Sequence, residues 1–250
     1  MKVSIITASY NSDKYIEDTI KSVLSQSYKN IEYIIIDGGS KDNTLDIVKK
    51  YEKSFNGRLK WISEKDKGIY DAMNKGINLA TGDLVGLINS DDYLSNEKII
   101  EKVVNKIKEK NSDLIYGDLD FIKENDKTSV VRKWKSGVYK KGIFRKGWHP
   151  AHPTLYIKKE FYDKVGNFSL DYKIAADFDL MLRIFEKNNP KVDYLEEVMV
   201  KMRVGGVSTG GLESMLTIAK DCSRAWSNNN LSKPFLFDYV RFITKLKQMI

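Results

Sequence analysis

Leu84-Val85-Gly86-Leu87-Ile88-Asn89-Ser90-Asp91-Asp92 is an apolar run that ends in two adjacent carboxylates. A short apolar run closed by a polar turn reads as a strand buried on both faces. Carboxylates at its end need a metal, a cation or solvent, because an unpaired charge beside a core is costly. Hard oxygen ligands there suit Mg2+ or Mn2+, and such an ion can hold a diphosphate. On these residues alone, a solvated turn that caps the next helix fits equally well.

The same grammar repeats on either side of this stretch. Val3 to Ala8 reads as a buried strand whose end is Thr7-Ala8-Ser9-Tyr10-Asn11. Ile31 to Ile36 is a second strand, ending at Asp37-Gly38-Gly39-Ser40, and Leu59 to Ile62 a third. Between them Ile16, Ile20, Val23 and Leu24 recur at helical spacing. So do Leu45, Ile47, Val48 and Tyr51, behind an N-cap at Asp42 or Asn43. A helix over Tyr70 to Leu79 stops at Gly82, and Ile99, Ile100, Val103, Val104 and Ile107 mark another. Strands alternating with helices predict a mostly parallel sheet covered on both faces. Ligands of such sheets bind beyond the carboxyl ends of the strands. Three polar clusters share that rim, which tips the Asp91-Asp92 pair toward a metal site.

From Asp113 the pattern shortens. Leu114 to Tyr116, Asp120 to Ile122 and Ser129 to Trp134 read as short strands. Residues 132–147 hold Arg132, Lys133, Lys135, Lys140, Lys141, Arg145 and Lys146 with no acid between them. This Gly-punctuated segment reads as a mobile loop or, alternatively, a solvated face. Phe178 to Lys187 is helical and Val192 to Val200 a strand. The tail from Leu212 reads as helical, with Phe235, Phe237, Tyr239, Phe242, Ile243, Leu246 and Ile250 interleaved with Arg241, Lys245 and Lys247. The chain thus divides into residues 1–112, a second half at 113–211 and a tail at 212–250.

Bulk properties narrow the classes. The 250 residues carry a formal charge of +8, which favours an anionic partner without choosing one. A single cysteine, Cys222, excludes an internal disulfide and a cysteine zinc site. The N-terminus lacks a leader-like apolar segment, and no stretch approaches the ~20 apolar residues of a membrane span. A cytoplasmic protein, peripheral at most on the inner face of the plasma membrane, is expected. No G-x-G-x-x-G follows the first strand and no G-x-x-x-x-G-K-[ST] occurs, which argues against dinucleotide dehydrogenases and P-loop enzymes.

Ile5 to Asn11, then Ile34 to Thr44, then Asn89-Ser90-Asp91-Asp92, in this order and spacing, resemble the family 2 glycosyltransferases of GT-A fold. Ala175-Ala176-Asp177-Phe178-Asp179-Leu180-Met181-Leu182-Arg183 is similar to the family's segment carrying the catalytic base. The resemblance implies a Rossmann-like α/β domain, with a mostly parallel sheet flanked by helices and further C-terminal helices. It implies that Thr7, Ser9 and Asn11 line a nucleotide pocket, with Tyr10 near the base and Gly39 among the substrate contacts. Asp37 would hydrogen-bond the base, which in most of the family is uracil. Asp92 would bind a divalent metal, Mn2+ or Mg2+, and Asp91 the ribose or the metal. Asp177 would be the general base, although the Glu often preceding it is Ala176 here. Asp179 is the alternative base, or else a partner of Arg183 at i+4.

Asp66 to Gly76 also resembles a family motif, and Asp71, Asn74 and Lys75 share one helix face as candidate donor contacts. His152 is a candidate contact to metal or diphosphate, and His149 lies nearby; an ordinary loop histidine is the alternative for either. Met202 to Ser208 is read as closing over the site, with Arg203 on phosphate.

The implied activity is inverting hexosyl transfer from a nucleotide-sugar donor, a UDP-sugar foremost. The acceptor is a glycan or a polyprenyl-diphosphate-linked saccharide, as in bacterial O-antigen or capsule assembly. Segments 132–147 and 233–250 would touch an anionic membrane surface. The rivals are a sugar-nucleotide nucleotidyltransferase and a non-enzymatic nucleic-acid binder. The first needs a Gly-rich basic loop after strand one, and the second leaves the carboxylates unexplained, so no nucleic acid is expected.

Overall fold

The computed structural model describes residues 1–205 and 211–246. Strands β1 (Val3–Ser9), β2 (Ile31–Asp37), β3 (Leu59–Ser63) and β4 (Leu84–Leu87) pair in parallel, in the order β3-β2-β1-β4. Helices α1 (Ile16–Leu24), α2 (Thr44–Glu52) and α3 (Ile69–Leu79) supply the crossovers. Every residue of β1 and β2 is buried, which is what Ile-rich strands covered on both faces require. Alternation splits them between two cores. Ile5 and Ile35 face α1, α2 and α4 (Ile99–Lys110); Ile6, Ile34 and Ile36 face α3 and the later helices.

The second half extends the same sheet. It adds β5 (Tyr93–Leu94), β6 (Leu114–Lys123), β7 (Asp126–Trp134), β8 (Tyr156–Lys158) and β9 (Val192–Arg203). Among the described residues nine strands form one sheet, ordered β3-β2-β1-β4-β8-β6-β9-β5, with β7 hydrogen-bonded to β6. β8 runs antiparallel between β4 and β6, whereas β9 lies parallel to β6. Because Tyr156 pairs with Gly86, the residues just before Tyr156 pass beyond the carboxyl end of β4, onto the ligand rim. The helices are α5 (Lys159–Val165), α6 (Ala176–Met181), α7 (Gly211–Asn228) and α8 (Phe237–Leu246), and α6 runs on as a π-helical segment over Leu182–Lys187. The result is the α/β, GT-A-like arrangement expected from the sequence.

Two expectations need correction. β6 is one ten-residue strand rather than two short ones. The polar pair Gly117-Asp118 breaks its apolar pattern, yet Asp118 Oδ1 accepts the Ser136 amide and the Tyr194 hydroxyl, each at 2.8 Å. Residues 132–147 are not a loose loop. Arg132 to Trp134 belong to β7, and buried Phe144 packs against Trp148 and Phe185 with centroids 5.5 and 5.4 Å away. Gly147, at φ +72°, lets the α8 backbone approach so closely that an added Cβ would lie 2.7 Å from Arg241 Cα. The aromatic residues anchor this segment while Lys140, Lys141 and Lys146 stay exposed.

The tail is helical as expected, in two helices broken around Pro234, and it belongs to the main core. Phe237 is fully buried against Trp226 and Phe178, whereas Phe235, Leu236 and Tyr239 point outward. Lys247 and Ile250 of the expected tail pattern lie outside the described residues, as do the side chains of Phe242, Lys245 and Leu246. Among the described residues no helix is long and apolar enough to cross a membrane.

Candidate active site

The loop after β4 is built around Asp92. Its side chain is fully buried; Oδ2 accepts from Asn89 Nδ2 at 2.8 Å and Oδ1 from the Arg203 amide at 3.2 Å. Thr19 of α1 reaches the Asp92 carbonyl at 2.6 Å. Asp91 remains partly exposed. Burial pushes both carboxyls above the usual carboxylate range, Asp92 further because the Asp91 charge adds to the effect. Two like charges held together in this way lower their joint cost by taking a cation. Of the two, Asp91 is the more exposed, and Asp92 is buried and held by Asn89 and Arg203. Among the described residues no group of three or more His, Cys, Asp or Glu side chains could hold an ion, so further ligands would have to come from a bound diphosphate and water.

The turns after β1 and β2 lock together. Asp37 is fully buried, and its Oδ2 accepts the amides of Gly39 and Ser40 at 3.0 and 2.9 Å and the Ser63 hydroxyl at 2.7 Å. Its Oδ1 accepts the Ser40 and Ser9 hydroxyls at 2.5 and 3.3 Å. A carboxylate so engaged organises the turn and has no oxygen left to read a base. Thr7 likewise points inward, fully buried and 3.0 Å from the Tyr33 hydroxyl. Asn11 sits at φ +46° and accepts the Lys41 amide at 2.9 Å, joining the two turns.

These turns present Tyr10, 63% exposed, and beside it, in the loop after β3, stands a partly exposed residue the sequence reading passed over, Asp66. A Cβ on Gly38 would lie 2.6 Å from Asp66 Oδ2 and 3.3 Å from the Tyr10 ring. Glycine at 38 thus lets an aromatic face and a carboxylate converge. The motif Asp66 to Gly76 contained this residue, but spacing drew attention to the helical stripe after it.

That stripe is mostly internal. Asp71 Oδ2 accepts the Lys67 amide at 3.0 Å at the start of α3. Lys75 pairs with Glu64 at 2.7 Å and with Asp71 at 3.6 Å. Asn74 donates to the Phe168 carbonyl and accepts the Phe168 amide, both at 2.9 Å. Its amide is consumed as a clamp between α3 and the chain before α6, not as a donor contact.

Asp177 opens α6. It is partly exposed and accepts the Phe178 amide at 2.8 Å; among the described residues its other oxygen accepts no hydrogen bond. Asp179, by contrast, is buried and bonded to Tyr172 at 3.1 Å, Asn229 at 2.7 Å and Arg183 at 3.1 Å. Of the two, Asp177 is the less engaged: it accepts one hydrogen bond among the described residues, against three for Asp179. His152 lies on the turn before β8, edge-on to Phe168 with centroids 5.4 Å apart. Burial pushes its imidazole below the ordinary value, and the nearby Asp177 charge opposes that. The rim of β4 and the first turn of α6 thus meet around His152 and Phe168. His149 lies 3.0 Å from the Pro150 carbonyl and is edge-on to Trp134 and to Phe178 of α6.

Arg203 does not reach outward for phosphate: it is 3% exposed and bound to Asp18 and the Asp91 carbonyl. Gly206, Val207 and Ser208 of the expected closing segment lie outside the described residues.

Comparison with known proteins identifies the family. The profile described as Glycosyl transferase family 2 matches residues 4–166. A PGL/p-HBAD biosynthesis glycosyltransferase of Mycobacterium bovis is 28% identical over 207 residues, covering 82% of this chain and 78% of that protein. Staphylococcus aureus TarS 1–349, solved with UDP-GlcNAc, superposes with a TM-score of 0.68 at 20% identity, over 91% of this chain and 73% of that one. Against the longer TarS structure the shared part is 44% of that chain, so the present chain spans less than half of it. A Pyrobaculum calidifontis mannosyltransferase, solved with GDP-Man and Mn2+, gives a TM-score of 0.66 at 16% identity, over 97% of this chain and 68% of that one. The nucleotidyltransferase and nucleic-acid-binding alternatives fall away: the chain belongs to glycosyl transferase family 2 and is a glycosyltransferase.

Proposed function

We propose that this chain is a divalent-metal-dependent, inverting glycosyltransferase. It moves a sugar from a nucleotide-sugar, a UDP-sugar foremost, to a hydroxyl of a glycan or lipid-linked saccharide in cell-surface polysaccharide synthesis. One observation carries the reading. Of Asp37, Asp91, Asp92, Asp177 and Asp179, only Asp91 and Asp177 are not buried. One stands at the end of β4 and the other at the start of α6.

Asp91 would hold Mn2+ or Mg2+, with Asp92 behind it. When bound, the ion neutralises charge on the departing diphosphate. The nucleobase would lie on Tyr10 with Asp66 as its polar partner, while Ser9, Asn11 and Gly39 shape the turn through Asp37. Lys75 and Asp71 flank the donor, and His152, whose neutral form burial favours, donates or accepts one hydrogen bond beside Asp177. Asp177 takes the proton from the acceptor hydroxyl, which is otherwise a poor nucleophile. A single base carboxylate opposite the leaving group implies one in-line displacement at the anomeric carbon, hence inversion, by the logic of glycoside hydrolysis.

Solved relatives with UDP-GlcNAc, and with GDP-Man and Mn2+, support a nucleotide-sugar donor and a divalent ion. Phe235, Leu236 and Tyr239 protrude from the start of α8, and Arg145 donates to the nearby Ser232 carbonyl at 3.0 Å. This aromatic, basic surface supports peripheral contact with an anionic membrane through parts of 132–147 and 233–250. The test is a transfer and hydrolysis screen over UDP-, GDP- and dTDP-sugars with and without Mn2+. Metal-dependent turnover of one donor class is expected; turnover of none would defeat the reading.

A further inference from the structure

We infer that Arg203 is the positioning residue of this site: it fixes the Asn89–Asp92 loop so that Asp91 faces the rim, and thereby sets affinity for the divalent ion. The inference rests on reading Asp91 as the ion's ligand. Arg203 is the last residue of β9, far in sequence from the loop, yet it grips that loop on both sides of the 91–92 junction. Its backbone amide donates to Asp92 Oδ1 at 3.2 Å, and its Nη1 donates to the Asp91 carbonyl. Its Nη2 meets Asp18 Oδ2 of α1 at 2.5 Å. The guanidinium lies between two rings, 4.5 Å from the Tyr15 centroid and 5.3 Å from that of Tyr93.

The residue type matters. A planar guanidinium reaches two acceptors on different elements while stacking on aromatic faces. A lysine ammonium is a point charge and holds no such fork. Among the described residues Arg203 Nε finds no hydrogen-bond partner, although it is buried. An unmet buried donor costs stability, so maximal stability does not explain this arrangement. What it achieves is placement. With the Asp91 carbonyl held by Nη1, the Asp92 carboxylate by the 203 amide and the Asp92 carbonyl by Thr19, the backbone around Asp91 is fixed while its side chain stays partly exposed. Outer-shell groups of this kind orient first ligands, and their loss typically weakens metal affinity about 10–100-fold.

The test is a Mn2+ titration in the presence of UDP, followed by water-proton relaxation, on the wild-type chain, Arg203→Lys and Asp18→Asn, each with its thermal melt. Arg203→Lys is expected to raise the Mn2+ dissociation constant at least about tenfold while the protein still melts cooperatively. Asp18→Asn, which keeps the guanidinium but loosens its anchor, is expected to move the constant the same way by a smaller factor. An unchanged constant in folded Arg203→Lys, with only a lowered melting temperature, would show a merely structural arginine and overturn the inference. Should Arg203→Lys fail to fold, an unchanged constant in Asp18→Asn overturns it equally. If the wild-type chain itself binds no Mn2+, the reading of Asp91 fails first and the inference falls with it.

Discussion

Asn74 and the backbone of Phe168 bond each other twice, with Nδ2 donating to the carbonyl and Oδ1 accepting the amide, each at 2.9 Å. The clamp holds the Phe168 ring against Tyr70 at 5.5 Å and against His152 at 5.4 Å. Asn74→Ala orphans both backbone groups, at a cost of about 2–3 kcal/mol. Urea denaturation should show that loss, and the Michaelis constant for donor should rise because the wall beside Asp177 loosens. Full stability in this variant would mean that water replaces the side chain.

Asp37 and Asp66 should separate cleanly. Asp37→Ala strands five donors in a buried turn, so it should cost about 3 kcal/mol or more and lose nucleotide binding along with stability. Asp66→Asn keeps an acceptor for the Gly68 amide, now 2.8 Å from Oδ1. It should leave the melting temperature unchanged yet weaken UDP binding. If UDP affinity survives Asp66→Asn, the base does not lie on this side of Tyr10.

Glu32 makes a pH-dependent contribution near the amino end of β2, away from the rim. Burial alone would raise its pKa, but donors from Lys2, Ser4 and Thr81 outweigh that and hold it at about 2, against an ordinary value of 4.5. As pH falls, the unfolded chain takes up this proton first. The contribution is therefore complete above about pH 4.5 and is lost as pH drops through about 2. Glu32→Gln should flatten stability across that acid window while lowering it at neutral pH. Parallel acid-denaturation curves for the two proteins would contradict this.

Asp177→Asn should fold and bind donor normally but stop transfer, because the acceptor loses its base. Asp179→Asn should instead destabilise α6 by about 1–3 kcal/mol, since it disturbs bonds to Tyr172, Asn229 and Arg183. Melting curves and transfer rates on both variants separate the roles. Transfer by Asp177→Asn at the wild-type rate would move the base elsewhere.

The parallel half of the fold was legible because Ile-rich strands alternate with helical stripes and each ends in a polar cluster. Those clusters did mark the rim, but residue type could not say which oxygen faces outward. Asp92 and Asp37 look like free ligands in sequence; only the fold shows Asn89, Arg203, Ser40 and Ser63 occupying them. Asp66 escaped notice because its partner is the missing side chain of Gly38, a contact no periodicity encodes. The basic segment misled because its lysines dominate composition while Phe144 and Trp148 decide its placement. Arg203 was seen as a charge free to meet phosphate, since nothing in the sequence links it to Asp18 or Asp91.

Melting the wild-type chain and Asp91→Ala with UDP, in the presence and absence of Mn2+, bears most directly on metal-assisted nucleotide binding at this rim. A ligand that binds only the folded state must raise the melting temperature. The expected result is a Mn2+-dependent rise with UDP in the wild type, absent in Asp91→Ala at an otherwise similar baseline stability. An equal rise in both proteins would contradict the assignment of Asp91 as the carboxylate that holds the ion.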